Sequence, residues 1–218
     1  MKNENLIEDL SSQLSKPTGE NGIEVGNAMN QTNKEMITSS IDLLEVKNHD
    51  KILEIGHGNC SHLTEIIKDK NVHYSGLEIS ETMKKEAERI NEKFIKLNQA
   101  QFLIYDGNKI PFEDQKFDQI FTVNTIYFWE NHELFLNEIY RVLKPNGKFI
   151  LTFVNEDFMK DLDFVDDNFQ LFNEEKAKTL LEKSGFKIIS IKNKTDNIKS
   201  KIGDLANRDY MVIISEKS

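Results

Sequence analysis

The stretch KILEIGHGNCSHL, residues 51–63, runs from an apolar segment carrying an acid, Glu54, into two glycines, Gly56 and Gly58, and then into a helix-like pattern. A buried strand that yields at once to glycines needs either a tight turn or a backbone that can approach a ligand closely. In a doubly wound sheet the first strand-to-helix loop lies where ligands bind, and the following helix offers free N–H groups at its positive end. A lone G-x-G supports the turn and the ligand loop about equally.

The rest of the chain repeats this alternation. HYSGLEIS reads as a second strand, and Ser80 is placed to cap a helix spanning ETMKKEAERINEKFIKL. QFLIY and FDQIFTV are the third and fourth strands, HELFLNEIYRVL is a helix, KPNG is a turn, and KFILTFV is the fifth strand. NEEKAKTLLEKSG is a helix with Asn173 as its cap and Gly185 as its stop, and FKIISIK and DYMVIIS close the chain. Upstream, a helix is expected from about Ala28 to Val46, with an apolar stripe from Met36 to Leu44, after a polar lead-in. Apolar strands separated by amphipathic helices imply a parallel sheet covered on both faces. The fold class is therefore α/β: a Rossmann-like, doubly wound, seven-stranded sheet, mostly parallel. Its last strand is antiparallel, because no helix separates the final pair. The expected organisation is an N-terminal lead-in and helical cap over 1–45, then one domain over 46–218 with a lid-like insert at 155–172.

Composition narrows the function. The net charge is −9, from 37 acidic and 28 basic residues, which argues against a nucleic-acid or anionic-membrane surface. The one cysteine, Cys60, fits a reducing compartment, and no apolar run is long enough to span a bilayer. A cytoplasmic protein, monomer or homodimer, is the expectation.

Two further acids follow strands. Glu78 ends the second strand, twenty-four positions after Glu54, near the spacing of roughly 20 at which nucleotide folds place an acid on ribose hydroxyls. Asp106 follows the third strand, where a carboxylate can accept from an exocyclic amine. Each alone could be a solvated loop residue; three at successive strand ends suggest a nucleoside site. Position 61 is Ser61, not the third small residue of a pyrophosphate-binding G-x-G-x-x-G/A, which disfavours an NAD-dependent oxidoreductase.

Together ILEIGHGNC, GLEIS, YDGNKIPFEDQKFDQIFTVNTIYFW and EIYRVLKPNGKFILTF resemble the class I S-adenosylmethionine-dependent methyltransferases, and the small-molecule branch that includes the quinone-biosynthesis enzymes in particular. The resemblance covers about Lys51 to Val154. It implies S-adenosyl-L-methionine as cofactor and no metal, with Glu54, Gly56 and Gly58 against its methionine part and Glu78 on its ribose. Ile79 and Met83 would flank the adenine, Asp106 and the backbone of Gly107 would meet its edge, and Asn124 would face the transfer centre. Cys60 departs from the pattern, standing where such families often carry a glycine.

Methyl transfer from a sulfonium by direct in-line displacement needs mainly alignment, worth on the order of 7–11 kcal/mol. A base is required only if the acceptor must lose a proton, and His57, Tyr127 and His132 are the candidates, each with an ordinary surface or packing role as its alternative. Val25 to Asn33 and the insert 155–172, with six acids, one lysine and four phenylalanines, are expected to build the side that meets a small organic acceptor. A cofactor-binding protein without catalysis is the other alternative.

Overall fold

The computed structural model describes residues 10–68, 70–167, 169–199 and 205–218. Its strands are β1 (Lys51–Ile55), β2 (His73–Glu78), β3 (Ala100–Ile104), β4 (Phe117–Val123), β5 (Leu143–Val154), β6 (Phe186–Lys199) and β7 (Leu205–Lys217). They form a seven-stranded sheet in the order β3-β2-β1-β4-β5-β7-β6. The first five strands pair in parallel, and β7 runs antiparallel between β5 and the edge strand β6. Strand order reverses between the neighbours β1 and β4, so their carboxyl ends open a crevice for a ligand. Ile52, Leu53, Ile120 and Phe121 on these central strands are fully buried, which is why both read as strands with adjacent apolar residues and not as strict alternation.

The helices are α1 (Gly19–Thr32), α2 (Lys34–Leu43), α3 (Leu63–Ile67), α4 (Glu81–Ile90), α5 (Glu92–Lys96), α6 (His132–Val142), α7 (Glu156–Met159) and α8 (Glu174–Lys183). Ser80 and Asn173 cap α4 and α8 as expected, accepting from Met83 N–H and Lys176 N–H. Three expectations need correction. The helix expected from about Ala28 begins at Gly19, after an earlier helical segment at 10–15, and Asn33 divides α1 from α2. The long helix after Ser80 breaks at Asn91, whose buried amide donates to the Cys60 and Ala87 carbonyls and so competes with the helical ladder. The terminal strands run well beyond FKIISIK and DYMVIIS, because residues 195–199 and 205–209 pair only with each other, past the end of β5. Lacking a buried face against β5, that extension is polar and carries no apolar alternation.

The KPNG turn is present as a bulge within β5: pairing with β4 skips from Leu143 to Lys148, and Asn146 takes a φ of 61°. Among the described residues no helix is long and apolar enough to cross a membrane.

Candidate functional site

A cavity lies at the carboxyl ends of β1, β2 and β4, walled on its remaining side by α1 and by Leu14, Ser15 and Pro17. The loop after β1 contributes Gly56, His57, Gly58 and Asn59. Gly56 and Gly58 have φ of 71° and 55°, left-handed backbone that glycine adopts without a Cβ penalty. A Cβ on Gly58 would meet open space, whereas one on Gly56 would stand 2.3 Å from Thr125 Cγ2. Thr125 is not free to retreat, since its hydroxyl lies 2.6 Å from that of Thr122 and accepts from the Trp129 indole at 3.2 Å.

Glu78 supplies the cavity's acid. Its carboxylate accepts from the backbone N–H of Gly58 (3.0 Å), Ile79 (2.8 Å) and Ser80 (3.1 Å). A carboxylate offers about four lone-pair positions, so one remains for a ligand hydroxyl where the sequence suggested two. Ile79, Met83 and Gly107 line the same wall, and Asn124 (φ 57°) lies opposite with Phe128 and Trp129.

α1 brings Gly26, Met29 and Asn30 to the cavity, and the helix is bonded to the glycine loop. Asn59 Nδ2 donates to Asn27 Oδ1 at 2.9 Å, and Ser61 Oγ donates to Asn30 Oδ1 at 2.9 Å. Gly26 lets Met83 lie across α1, because its Cβ would fall 2.4 Å from Met83 Sδ.

A methyltransferase domain family matches residues 53–151. Over 129 residues the chain is 30% identical to the methyltransferase YdaC of Bacillus subtilis, covering 58% of this chain and 68% of YdaC. The chain belongs to the class I S-adenosylmethionine-dependent methyltransferases. A second Bacillus subtilis methyltransferase, YrhH, is 31% identical over 51% of this chain and 62% of its own length. Among solved structures, Bacillus subtilis YcgJ superposes with a TM-score of 0.66 at 15% identity, over 84% of this chain and 98% of that one. A Haemonchus contortus phosphoethanolamine N-methyltransferase, solved with S-adenosylhomocysteine, superposes with a TM-score of 0.69 at 16% identity, over 97% of this chain and 60% of that one. Identities this low establish the shared fold.

The three strand-end acids of this methyltransferase do not converge on the cavity, contrary to the sequence-based expectation; Glu78 alone lines it. Asp106 is exposed, and its carboxylate accepts from the N–H groups of Lys109 (2.8 Å) and Asn108 (2.9 Å), which hold it below its ordinary pKa. The neighbouring Gly107 does reach the wall.

Glu54 points inward. Its two oxygens accept from His62 Nε2 at 3.0 and 2.9 Å, and the Tyr74 hydroxyl donates to it as well. Burial alone would raise the Glu54 pKa, but the His62 charge and the bonds from His62 and Tyr74 outweigh it and leave the carboxyl below its ordinary value. Burial alone would likewise lower that of His62, yet the Glu54 charge carries it well above the usual imidazole range. The pair is thus an ionised carboxylate and imidazolium in the core.

Cys60 lies beside the pair, its Sγ 3.1 Å from the Tyr74 oxygen, and burial pushes its thiol pKa up. Its φ of 49° is left-handed backbone, which glycine adopts more readily than cysteine. Donor atoms of Glu54, Cys60 and His62 fall within 4.8 Å of one another. The 2.9 Å His62–Glu54 separation is nevertheless a hydrogen bond, so the trio is a proton-bearing network.

The three base candidates occupy different places. His57 lines the cavity as a buried ring in the slot left by Gly76, where a Cβ would come within 2.6 Å of it, and it packs edge-on against Phe102. Its Nδ1 donates to the Gly58 carbonyl at 2.7 Å, its Nε2 has no partner, and burial lowers its pKa, so the ring is neutral. Tyr127 stands behind the wall. Its hydroxyl donates to Asn124 Oδ1 (3.0 Å) and accepts from Val154 N–H (2.6 Å), and burial raises its pKa. His132 bonds the Ile126 carbonyl at 2.7 Å and packs on Trp129 and Phe172, one layer from the cavity.

None of the insert's described residues lines the cavity; Phe169 and Phe172 bury into the core, and Phe169 backs Phe128 at 4.8 Å. The sequence reading gave no role to Asn59, Thr125, Leu14, Ser15 or Pro17, whereas Met29 falls in the Val25 to Asn33 segment that it assigned to the site. Gly56→Ala is expected to lower the melting temperature and weaken ligand binding at least tenfold, since left-handed backbone costs alanine about 1–2 kcal/mol and Thr125 must give up its bonds to make room. Thermal melts with calorimetric titration check both effects.

Proposed function

We propose that this methyltransferase binds S-adenosyl-L-methionine in the cavity at the β1, β2 and β4 ends and transfers its methyl group to a small organic acceptor of low charge. The observation that carries the reading is the pairing of a side-chain-free opening at Gly58 with the one open lone-pair position on the preorganised Glu78 carboxylate. An amino-acid tail fits the first and a ribose hydroxyl the second. Ile79 and Met83 supply apolar surface for an adenine, and the Gly107 backbone lies beside them. The cofactor, when bound, supplies an activated methyl on a sulfonium; the chain supplies alignment and dryness.

On the acceptor side, Asn124 offers an amide fixed by Tyr127, while Ile37, Phe128 and Trp129 exclude water. Glu78 is the one Asp, Glu, Lys or Arg side chain among the described lining residues. That wall suits a neutral acceptor better than a phosphorylated one. His57 is the imidazole nearest the loop, neutral and able to accept a proton through its unpartnered Nε2. Titration calorimetry with S-adenosylmethionine, followed by mass spectrometry of products over a panel of neutral, cationic and anionic acceptors, tests the reading. Micromolar cofactor binding and methylation of a neutral acceptor are expected. Binding of NAD in place of S-adenosylmethionine overturns the reading, and cofactor binding without any methylated product reassigns the chain to a binding role.

A further inference from the structure

The extended β6–β7 hairpin projects past the carboxyl end of β5, on the same side of the sheet as the cavity. Within it Arg208 and Asp196 face each other across the strand pair, and both are nearly fully buried, at 4% and 6% exposure. The guanidinium grips the carboxylate in a fork, with Nε to Oδ1 at 3.1 Å and Nη2 to Oδ2 at 2.7 Å. Its remaining donors leave the hairpin: Nη2 donates to the Thr32 carbonyl at 2.8 Å and Nη1 to Asn33 Oδ1 at 3.0 Å. Thr32 is the last residue of α1, and Asn33 is the joint between α1 and α2.

A cation at this helix end satisfies an orphan carbonyl and complements the negative end of the dipole. The turn it holds carries Met29, Asn30 and Asn33, all on the cavity wall. Desolvating two charges costs several kcal/mol for each ion. A hairpin that needed only to pair its own strands could have used apolar or exposed residues at these positions.

We infer that Arg208 is a positioning residue: held by Asp196, it fixes the end of α1 and thereby sets the wall that closes the cavity over its ligand. α1 is then fastened at both sides, to the glycine loop through Asn59 and Ser61 and to the hairpin through Arg208. Ligand affinity depends on a residue that touches no ligand. That consequence for affinity rests on the proposed cofactor site; the anchoring of α1 does not.

The test compares the full chain with Arg208→Lys and with the double variant Arg208→Met/Asp196→Leu. The double variant removes both charges, so no unpaired ion is left buried, but it also removes the bonds to Thr32 and Asn33. Two readouts are taken: the calorimetric Kd for S-adenosylmethionine and amide hydrogen exchange across residues 19–33. In the double variant Kd is expected to rise at least tenfold, and exchange near Thr32 to quicken at least tenfold, while β1 and β4 amides keep their protection. Arg208→Lys, which retains the charge but not the planar fork, is expected to show the same two changes in weaker form, and it carries the test if the double variant fails to fold. Unchanged exchange at α1 in a folded variant overturns the inference. Unchanged Kd with faster exchange overturns the link to affinity. If the parent chain binds no S-adenosylmethionine, the cofactor reading fails by itself and exchange still decides whether Arg208 anchors α1.

Discussion

Glu54→Leu is expected to reduce the unfolding free energy by about 1–3 kcal/mol, because it removes the charge that keeps His62 protonated and leaves the buried imidazole and the Tyr74 hydroxyl without their acceptor. His62 is 6% exposed, and Glu54 is its hydrogen-bonded counter-ion. The pH dependence of the parent chain follows from the same pair. Glu54 has a depressed folded pKa, so its stabilisation is complete above the ordinary carboxylate value of 4.5 and is lost as pH falls through the folded value. His62 has a raised folded pKa, so its stabilisation is complete below the ordinary imidazole value of 6.5 and is lost as pH rises through the folded value. The pair therefore stabilises most between those two pH values. Urea melts across a pH series should show that plateau in the parent and its absence in the double variant Glu54→Leu/His62→Leu. The double variant should also recover much of the lost stability, since apolar packing can replace a buried pair at little cost. A single variant as stable as the parent would show that the pair is not ionised in the fold.

Glu54 and Glu78 show what was legible in the sequence and what was not. Both acids stand at the ends of apolar runs, and nothing in one dimension separates them. In the sheet Glu54 pairs with Gly76 on one side and Phe121 on the other, inside the strand, while Glu78 is the last residue of β2 and meets the loop. A difference of one residue in depth sends one carboxylate into the core and leaves the other on the cavity. The buried partners His62 and Tyr74 come from separate elements, so no local pattern announces them. Strand identity, by contrast, was readable because β1 and β4 are covered on both faces, and the caps at Ser80 and Asn173 were readable because their chemistry is local. The start of α1 was hidden by Gly19, Gly22 and Gly26, which look like loop. Gly22 and Gly26 serve contact instead: a Cβ on Gly22 would fall 2.7 Å from the Pro17 carbonyl carbon, and one on Gly26 would strike Met83. The hairpin extension stayed illegible because its stability comes from cross-strand pairing and the Arg208 anchor, which period-two hydrophobicity does not record.

Glu78→Gln is expected to weaken S-adenosylmethionine binding by about 1.5–3 kcal/mol, roughly 10- to 150-fold in Kd. The substitution keeps the side chain's shape but replaces an acceptor oxygen with an NH2 donor, in a place where three backbone N–H groups already point inward. Whichever way the amide turns, it faces at least one of those donors, and the acceptor position left for a ribose hydroxyl is weakened or lost. The glycine loop shares the effect, since Gly58 N–H is one of the three. An analogue lacking the ribose hydroxyls separates the two contributions. It should bind the parent chain and Glu78→Gln with nearly equal affinity if the direct contact dominates, and should keep most of the difference if loop geometry dominates. Calorimetry on both ligands gives the ratio. Equal affinity of parent and variant for intact S-adenosylmethionine would remove Glu78 from the binding site and leave it as a loop anchor alone.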